Sequence, residues 1–344
     1  MLKILAYYIW LDGKHNLRVK LRVQDQPIFN NWNADGSSTF QAGLECSEIL
    51  LKPVKHVKIN PKYFNSTDIY DKHHEIYIVL CEVYDKDKKV HKSNSRYKAN
   101  KIFNKYKEQE IMFGLEQEYY IINPKTKEPD SIIYHQIKNG ELEHQNCHYC
   151  YMGIEEYMGR KIAEQHLYAC LDCGLTISGI NGEVGPCQWE FQIGPVIGID
   201  ATDQLIIARF LLMKIAEKYG YQINFIPKPF GDKISGSGCH INVSTKTMRE
   251  ENGIDDIYEA IEKLKMVHQE SITIYGEDNK ERLSGKCETA NWNTFSYSVG
   301  GRDVSIRIGY DIEREGKGYF EDRRPSSNTD MYQATSHILN VISS

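Results

Sequence analysis

The sequence predicts an α+β protein in two parts, a small strand-rich domain at residues 1–90 and a larger mixed domain at residues 91–344. Three observations lead there. Strand-forming residues dominate the early segments, alternating apolar and polar stretches are interspersed with helix-patterned ones afterwards, and a charged connection, KDKKVHKSNSRYK, separates the two. A length of 344 residues suits two domains, and a hydrophobic content of 41% is ordinary for a globular chain with a sizeable core.

In chain order, residues 4–11 and 17–23 are predicted strands joined at Gly13–Asn16, a hairpin signal that starts a small antiparallel sheet. Trp32–Phe40 (WNADGSSTF) is expected as a polar loop with a turn at Asp35-Gly36, and Ile76–Asp85 as another strand. A helix around Ser95–Lys107 leads into the strand FGLEQEYYI at Phe113–Ile121, after which Asn123–Gln145 is expected as loop or an added hairpin. Helices are predicted over Glu155–Gly174, over Asp203–Tyr219 with Asp203 as N-cap, and over Ile254–Tyr275. Between the last two, SGSGCHINVST alternates strictly, placing Cys239, Ile241 and Val243 on one strand face and His240, Asn242 and Ser244 on the other. In RDVSIRIG the residues Val304, Ile306 and Ile308 oppose Ser305 and Arg307, and in GYFEDRRP the same spacing aligns Tyr319, Glu321 and Arg323.

Two segments carry the chemistry. Phe113–Ile121 and Asn181–Pro195 (NGEVGPCQWEFQIGP) hold Glu116, Glu118, Glu183 and Glu190 in apolar surroundings, where unpaired carboxylates are almost never buried. Glu116 and Glu118, two apart on a strand, project together, and a Gly185-Pro186 turn makes Glu183 and Glu190 diagonal neighbours across a hairpin. Such carboxylates repel unless a hard divalent cation lies between them. An oxygen-rich set favours Mg²⁺ or Mn²⁺, and Mg²⁺ usually shares its coordination with phosphates, which points to nucleotide chemistry. The clustered arginines of the last third fit anions bidentately. There is no G-x-x-x-x-G-K-[ST], so a nucleotide would be held without a P-loop.

The formal charge of −5, without a long basic tract, disfavours nucleic acid and anionic lipid, and no apolar run approaches the roughly 20 residues of a membrane span. MLKILAYYIWLD lacks a cleavage site and reads as a strand. Nine cysteines, an odd number, suggest reduced thiols in a cytoplasmic setting. Cys147-x-x-Cys150 and Cys170-x-x-Cys173 have zinc-site spacing, but Cys170 and Cys173 also fit an amphipathic helix as small hydrophobes, the reading preferred here.

Taken together, WNADGSST, FGLEQEY, NGEVGPCQWEFQIGP, PKPFGDKISGSGCHINVSTKTMREENG, RLSG, SIRI and GYFEDRRPSSN resemble, in order and spacing, the signature segments of the type II (eukaryotic-type) glutamine synthetase family. The resemblance runs from about Tyr8 to the C-terminal helix. It implies a small β-grasp N-terminal domain and a catalytic domain whose antiparallel strands form a funnel, or split barrel, backed by helices. It also implies a homo-oligomer of stacked rings, a decamer, with active sites between neighbouring subunits. The implied reaction is ATP-dependent ligation of ammonium to glutamate through a γ-glutamyl phosphate, with two or three Mg²⁺ or Mn²⁺ per site.

By matching positions, Glu118, Glu183 and Glu190 would hold one metal and Glu116, His240 and Glu321 another. Arg302 and Arg323 would bind the γ-carboxylate and the transferred phosphoryl group, Arg282 and Gly236 the amino acid, and Arg307 the ATP phosphates. Asn242, Ser244, Arg249 and Tyr319 would line the nucleotide pocket. Asp35, with Ser38 and Tyr149, would form the ammonium pocket and accept its proton, the Asp35 loop coming from the adjacent subunit, while Glu288 in the flap SGKCETAN would close over the acyl phosphate. Met112 departs from the family, which has an aromatic there, as do Gly309-Tyr310, Gly316 and Lys286-Cys287. A γ-glutamyl ligase for a bulkier amine and a non-catalytic ring member are the competing readings.

Overall fold

The computed structural model describes residues 3–64, 74–143, 145, 149–153 and 159–344. Strands β1 (Lys3–Leu11), β2 (Leu17–Gln24), β3 (Trp32–Asp35), β4 (Glu48–Ile59) and β5 (His74–Tyr84) form one sheet in the order β2-β1-β5-β4-β3. The pairing is antiparallel except between β1 and β5, which run parallel at its centre. The expected β1–β2 hairpin is present, its turn organised by buried Asp12, which accepts the backbone N–H groups of Lys14 and Asn16. Part of the Trp32–Phe40 loop is strand β3, on the sheet edge. Strand β4 escaped the sequence reading because Pro53 interrupts it, and there the register shifts against β5.

The second sheet contains β6 (Met112–Ile122), β7 (Ile177–Gly182), β8 (Gln188–Ile197), β9 (Gln222–Asn224), β10 (Cys239–Ser244), β11 (Tyr297–Val299), β12 (Ile306–Ile308) and β13 (Phe320–Asp322). Its order is β11-β12-β13-β10-β6-β8-β7, with β9 paired to the end of β6, and all but β11–β12 are antiparallel. The helices are α1 (Ser95–Lys105), α2 (Ile132–Lys138), α3 (Gly159–Asp172), α4 (Ile199–Lys218), α5 (Gly253–Met266), α6 (His268–Ile274), α7 (Asn279–Arg282), α8 (Tyr310–Glu315) and α9 (Met331–Ile342). Helix α4 is apolar nearly all round because one core wraps it, joining Ile9, Ile78 and Leu80 of the first sheet to Phe113, Leu115 and Phe191 of the second. One face of the second sheet is therefore buried against α3 and α4, which leaves the other face for polar side chains.

Three helix expectations need correcting. Asp203 does not cap α4, which begins at Ile199 after Gly198. Buried in the second turn instead, Asp203 accepts Arg96 Nε and Nη2 at 2.8 Å each and the Tyr332 hydroxyl at 2.6 Å, binding α4 to α1 and α9. The segment Ile254–Tyr275 is two helices broken at Val267, where His268 turns inward with Nε2 2.9 Å from the Trp292 carbonyl and Nδ1 3.1 Å from Arg324 Nη1. Within Asn123–Gln145 lies α2, capped by Ser131, with Tyr134 and Ile137 buried at helical spacing.

Arg324 is 1% exposed and pairs with Asp322 at 2.7 Å; Asp322 also accepts the Tyr275 hydroxyl at 2.9 Å. Replacing Arg324 by leucine leaves that carboxylate buried with two neutral donors, the Tyr275 hydroxyl and the backbone N–H of residue 324, and no cation, so urea denaturation should show a loss of roughly 3–5 kcal/mol.

Candidate active site

The face of the second sheet turned away from α3 and α4 is a row of acids, bases and amides set by strand register. Glu116 stands opposite His240 and Gln192, Glu118 opposite Glu190, Glu190 opposite Asn181, and Glu321 opposite both Asn242 and Arg307. Glu183 follows β7, its N–H donating to the Gln188 carbonyl, so it is diagonal to Glu190 across the hairpin. Period-two alternation sends Leu115, Gln117 and Tyr119, and likewise Cys239, Ile241 and Val243, into the core.

His240 lies at the centre of the row. Its Nδ1 is 3.5 Å from Glu116 and 3.3 Å from Glu321, and its Nε2 is 3.8 Å from Glu118. Ligand atoms of Glu116, His240 and Glu321 all fall within 4.8 Å of one another, the one such group of His, Cys, Asp or Glu among the described residues. Burial pushes Glu183 up to about 7, helped by the charge of Glu118, and raises Glu190 well above the carboxylate range, reinforced by Glu116, Glu183 and Glu118. Burial and the Arg323 charge act to lower His240, but hydrogen bonds with Glu116 and Glu321 outweigh them and raise it to about 9. Glu321 is held low: burial opposes ionisation, but His240, Arg323 and Arg307 prevail. A crowd of carboxylates that retains protons suits hard divalent cations, whose binding would displace them.

Around the acids, Gly238 N–H donates to Glu118 at 2.7 Å, Asn242 Nδ2 to Glu116 at 2.7 Å and Asn181 Nδ2 to Glu183 at 2.8 Å, while Gln192 donates to Glu190. Sequence reasoning missed Asn181 and Gln192, although QWEFQ alternates so that Gln188, Glu190 and Gln192 share a face. Arg323 donates to Glu321 at 2.7 Å, to the Arg302 carbonyl at 3.1 Å and to the Glu288 carbonyl at 3.4 Å. Arg302 lies over the Tyr149 ring, 5.9 Å from its centroid, with Nη1 3.9 Å from the Glu288 carboxylate. Arg302, Arg323, Glu288 and Tyr149 thus converge at one end of the row.

Other residues sit differently. Arg307 is turned to Glu321, 3.2 Å away, and does not line the adjoining cavity. Arg282 is 3% exposed, with Nη2 donating to the carbonyls of Arg323, Arg324 and Pro325 and Nε to Asn279. Gly236 packs against it so closely that an added Cβ would lie 2.6 Å from Arg282 Cγ and 2.4 Å from the Pro227 carbonyl oxygen. Asn242, Ser244, Arg249 and Tyr319 border a cavity of about 390 Å³ that opens beside Glu116 and is otherwise walled mainly by apolar groups, Met112 among them. Asp35 and Ser38 stand apart on the edge of the first sheet. Both Ser37 and Ser38 hydroxyls donate to Asp35, at 2.7 and 2.9 Å, and Ser47 also holds its carboxyl down. Cys147 lies outside the described residues; Cys150 is exposed, Cys170 is buried, and burial pushes the Cys173 thiol up to about 12.

Comparison with known proteins follows the same lines. Residues 92–270 match the family pattern described as glutamine synthetase, catalytic domain. The chain is 44% identical to a cytosolic glutamine synthetase isozyme of Pinus sylvestris, covering 98% of this chain and 92% of that one. It is 45% identical to glutamine synthetase of Saccharomyces cerevisiae, covering 97% and 87%, and 43% identical to a putative glutamine synthetase of Acanthamoeba polyphaga mimivirus, covering 97% and 93%. Among solved structures, a GmaS/ADP complex superposes with a TM-score of 0.72 over 98% of this chain and 77% of that one. At 16% identity that likeness concerns the fold.

Proposed function

From the premise that this chain belongs to the glutamine synthetase family, we propose that the acidic strand face and the cavity beside it ligate ammonium to glutamate at the expense of ATP. The enzyme is a glutamate–ammonia ligase that depends on ATP and on metal. Its finer chemistry follows from the site. A carboxylate is a poor electrophile because oxide leaves badly, so a γ-carboxylate oxygen of glutamate first attacks the terminal phosphorus of ATP and ADP departs. Ammonia then attacks the acyl carbon of the γ-glutamyl phosphate, and phosphate leaves.

Glu118, Glu183 and Glu190 would hold one Mg²⁺ or Mn²⁺ and Glu116, His240 and Glu321 a second. When bound, these ions neutralise charge on the phosphoryl oxygens, as in other phosphoryl transfers. The protein's own groups do the rest. Arg323 and Arg302, converging beside Glu321 and Glu288, orient the γ-carboxylate and the transferred phosphoryl group, stabilising charge as it develops. Arg282 and Gly236 shape the amino-acid end. Arg307 reaches the phosphates from its position on Glu321, and Asn242, Ser244, Arg249 and Tyr319 border the nucleotide. Glu288 covers the acyl phosphate, excludes water and takes a proton from the addition intermediate. Asp35 and Ser38, distant from the row in their own chain, join the site of a neighbouring copy and, with Tyr149, hold ammonium. That arrangement calls for a ring, here a decamer of stacked rings in the cytoplasm. The N-terminal domain, residues 1–90, would then supply the ammonium loop, and residues 91–344 the catalytic face.

The observation that supports the reading is the convergence of five carboxylates, His240 and two arginines around one sheet face beside an apolar cavity. Purified protein given glutamate, ammonium, ATP and Mg²⁺ or Mn²⁺ should release phosphate and glutamine in equal amounts. Release of neither would overturn it.

A further inference from the structure

We propose that Asn181 and Gln192 choose the ion held by Glu118, Glu183 and Glu190, favouring Mg²⁺ and Mn²⁺ over Ca²⁺ because they leave the neighbouring carboxylates one oxygen each to give. This rests on the reading above, in which those three acids hold a divalent cation.

Two short alternations bring the groups together. Asn181 and Glu183 are two residues apart at the end of β7, and Glu190 and Gln192 are two apart in β8. Period two therefore sets an amide beside each acid, and the β7–β8 register pairs Asn181 with Glu190, so the four side chains meet across the hairpin. Gln192 Nε2 donates to Glu190 Oε1 and, at 2.7 Å, to Asn181 Oδ1, while Asn181 Nδ2 donates to Glu183 Oε1 at 2.8 Å. The polarity of this chain is forced. Ionised carboxylates only accept, so both amides turn nitrogen toward them, and Asn181 has its oxygen left for Gln192. Gly179 faces Gln192 in the same ladder, where an added Cβ would lie 2.7 Å from Gln192 Oε1. The missing side chain is what gives the amide room beside β7.

The backbone does the same for the third acid. Gly238 N–H donates to Glu118 Oε2 at 2.7 Å, and Gln188 Nε2 approaches that oxygen to 3.5 Å. One oxygen of each carboxylate thus faces a close protein donor, and Glu118 Oε1, Glu183 Oε2 and Glu190 Oε2 remain for an ion, Glu183 Oε2 with the Val184 N–H at a longer 3.3 Å. Three single oxygens suit Mg²⁺ and Mn²⁺, which take octahedral oxygen sites and accept water or phosphate at the other positions. Ca²⁺ is larger and fills its higher coordination number by taking both oxygens of a carboxylate. To chelate in that way, Glu183 or Glu190 has to give up its amide bond, a cost that falls on Ca²⁺ and not on the smaller ions.

The test omits nucleotide, since Gln192 also borders the cavity. Isothermal titration of the full-length protein with Mn²⁺ and with Ca²⁺ gives the ratio of the two affinities. It is compared among wild type, Asn181→Ala and Gln192→Met, the last keeping the reach of the side chain but not its N–H groups. Both positions are half-buried, so neither change cuts into the core. Groups that orient metal ligands are worth about 10–100-fold in affinity, and each variant should narrow the preference for Mn²⁺ by about tenfold. Gly179→Ala, which displaces the amide and deletes nothing, should narrow it in the same sense. A hairpin that was merely loosened would weaken both ions together and leave the ratio unmoved. Narrowing by about threefold or more in both Asn181→Ala and Gln192→Met supports the proposal, and less in either overturns it. Wild-type protein that binds no Mn²⁺ would bring down the metal reading as well, whereas Mn²⁺ binding with an unmoved ratio sinks this proposal alone.

Discussion

Glu190→Gln should lower glutamine formation by about 10³-fold or more and, in the same protein, raise the stability of the metal-free form. The two effects have one cause. Glu190 is 7% exposed, faces Glu118 across the β6–β8 ladder, and feels Glu116 and Glu183 besides. No cationic side chain hydrogen-bonds to it among the described residues; its neighbour is the amide of Gln192. Without metal, its ionised form is an uncompensated buried charge, and the isosteric amide removes that charge without opening a cavity. With metal, that same charge supplies affinity, so the variant should lose Mn²⁺ binding and, with it, metal-dependent nucleotide binding.

The pH dependence has a definite sign. Glu183 has a folded value near 7 against an ordinary 4.5, so its proton stabilises the fold fully below pH 4.5 and that contribution is lost as pH rises through 7. Glu190, also raised, acts in the same direction. Metal-free wild-type protein should therefore lose more of its unfolding free energy than Glu190→Gln between pH 5 and pH 8, and saturating Mn²⁺, bound by the wild type alone, should reverse the difference. Urea titrations at those two values, with and without Mn²⁺, measure it. A variant less stable than wild type at pH 8 without metal would show that the carboxylates do not crowd one another.

The acids were legible in the sequence because their local context offers no other account of them. A glutamate inside FGLEQEYYI or CQWEFQIG breaks an apolar pattern, and period two then fixes which acids share a face. Strand faces in β10, β12 and β13 were readable for the same reason, since alternation is written in adjacent residues. What stayed hidden depends on partners far along the chain. Asp203 looks like a helix cap until Arg96 and Tyr332 are seen to hold it, and Val267 shows nothing of the break that lets His268 reach Trp292 and Arg324. β4 was obscured by Pro53, which a sheet tolerates only where pairing is already irregular. Likewise, Arg282 reads as a free guanidinium in RLSG, but three backbone carbonyls of the β13 exit already occupy its Nη2. The cavity is beyond sequence reading altogether, because its walls come from β6, β7, β8, β10 and the segment before β13 at once.

Asp35→Ala should reduce kcat/KM for ammonium by about 10²–10³-fold, through KM more than kcat, while Mn²⁺ binding remains within about twofold of wild type. Hydrogen bonds from Ser37 and Ser38 push the Asp35 carboxyl down to about 2, so it is ionised at any working pH. A carboxylate that weakly basic attracts ammonium by charge far more than it strips a proton from the free cation, and it accepts that proton only as the C–N bond forms. It follows that Asp35 adds no step to the pH profile of the ammonium KM between pH 5 and 9, and that Asp35→Asn, which keeps the serine contacts but not the charge, should resemble Asp35→Ala. Because Asp35 and the acid row lie on different sheets and share no described contact, the variants also test whether a neighbouring copy completes the site. Coexpressed Asp35→Ala and Glu190→Gln chains, assayed at ammonium far below KM where each alone is strongly impaired, should regain activity at about a quarter of their sites, the share in which an intact loop meets an intact acid row in randomly mixed rings. If the mixture stays as inactive as its parts, the ammonium loop does not serve the acid row of another subunit.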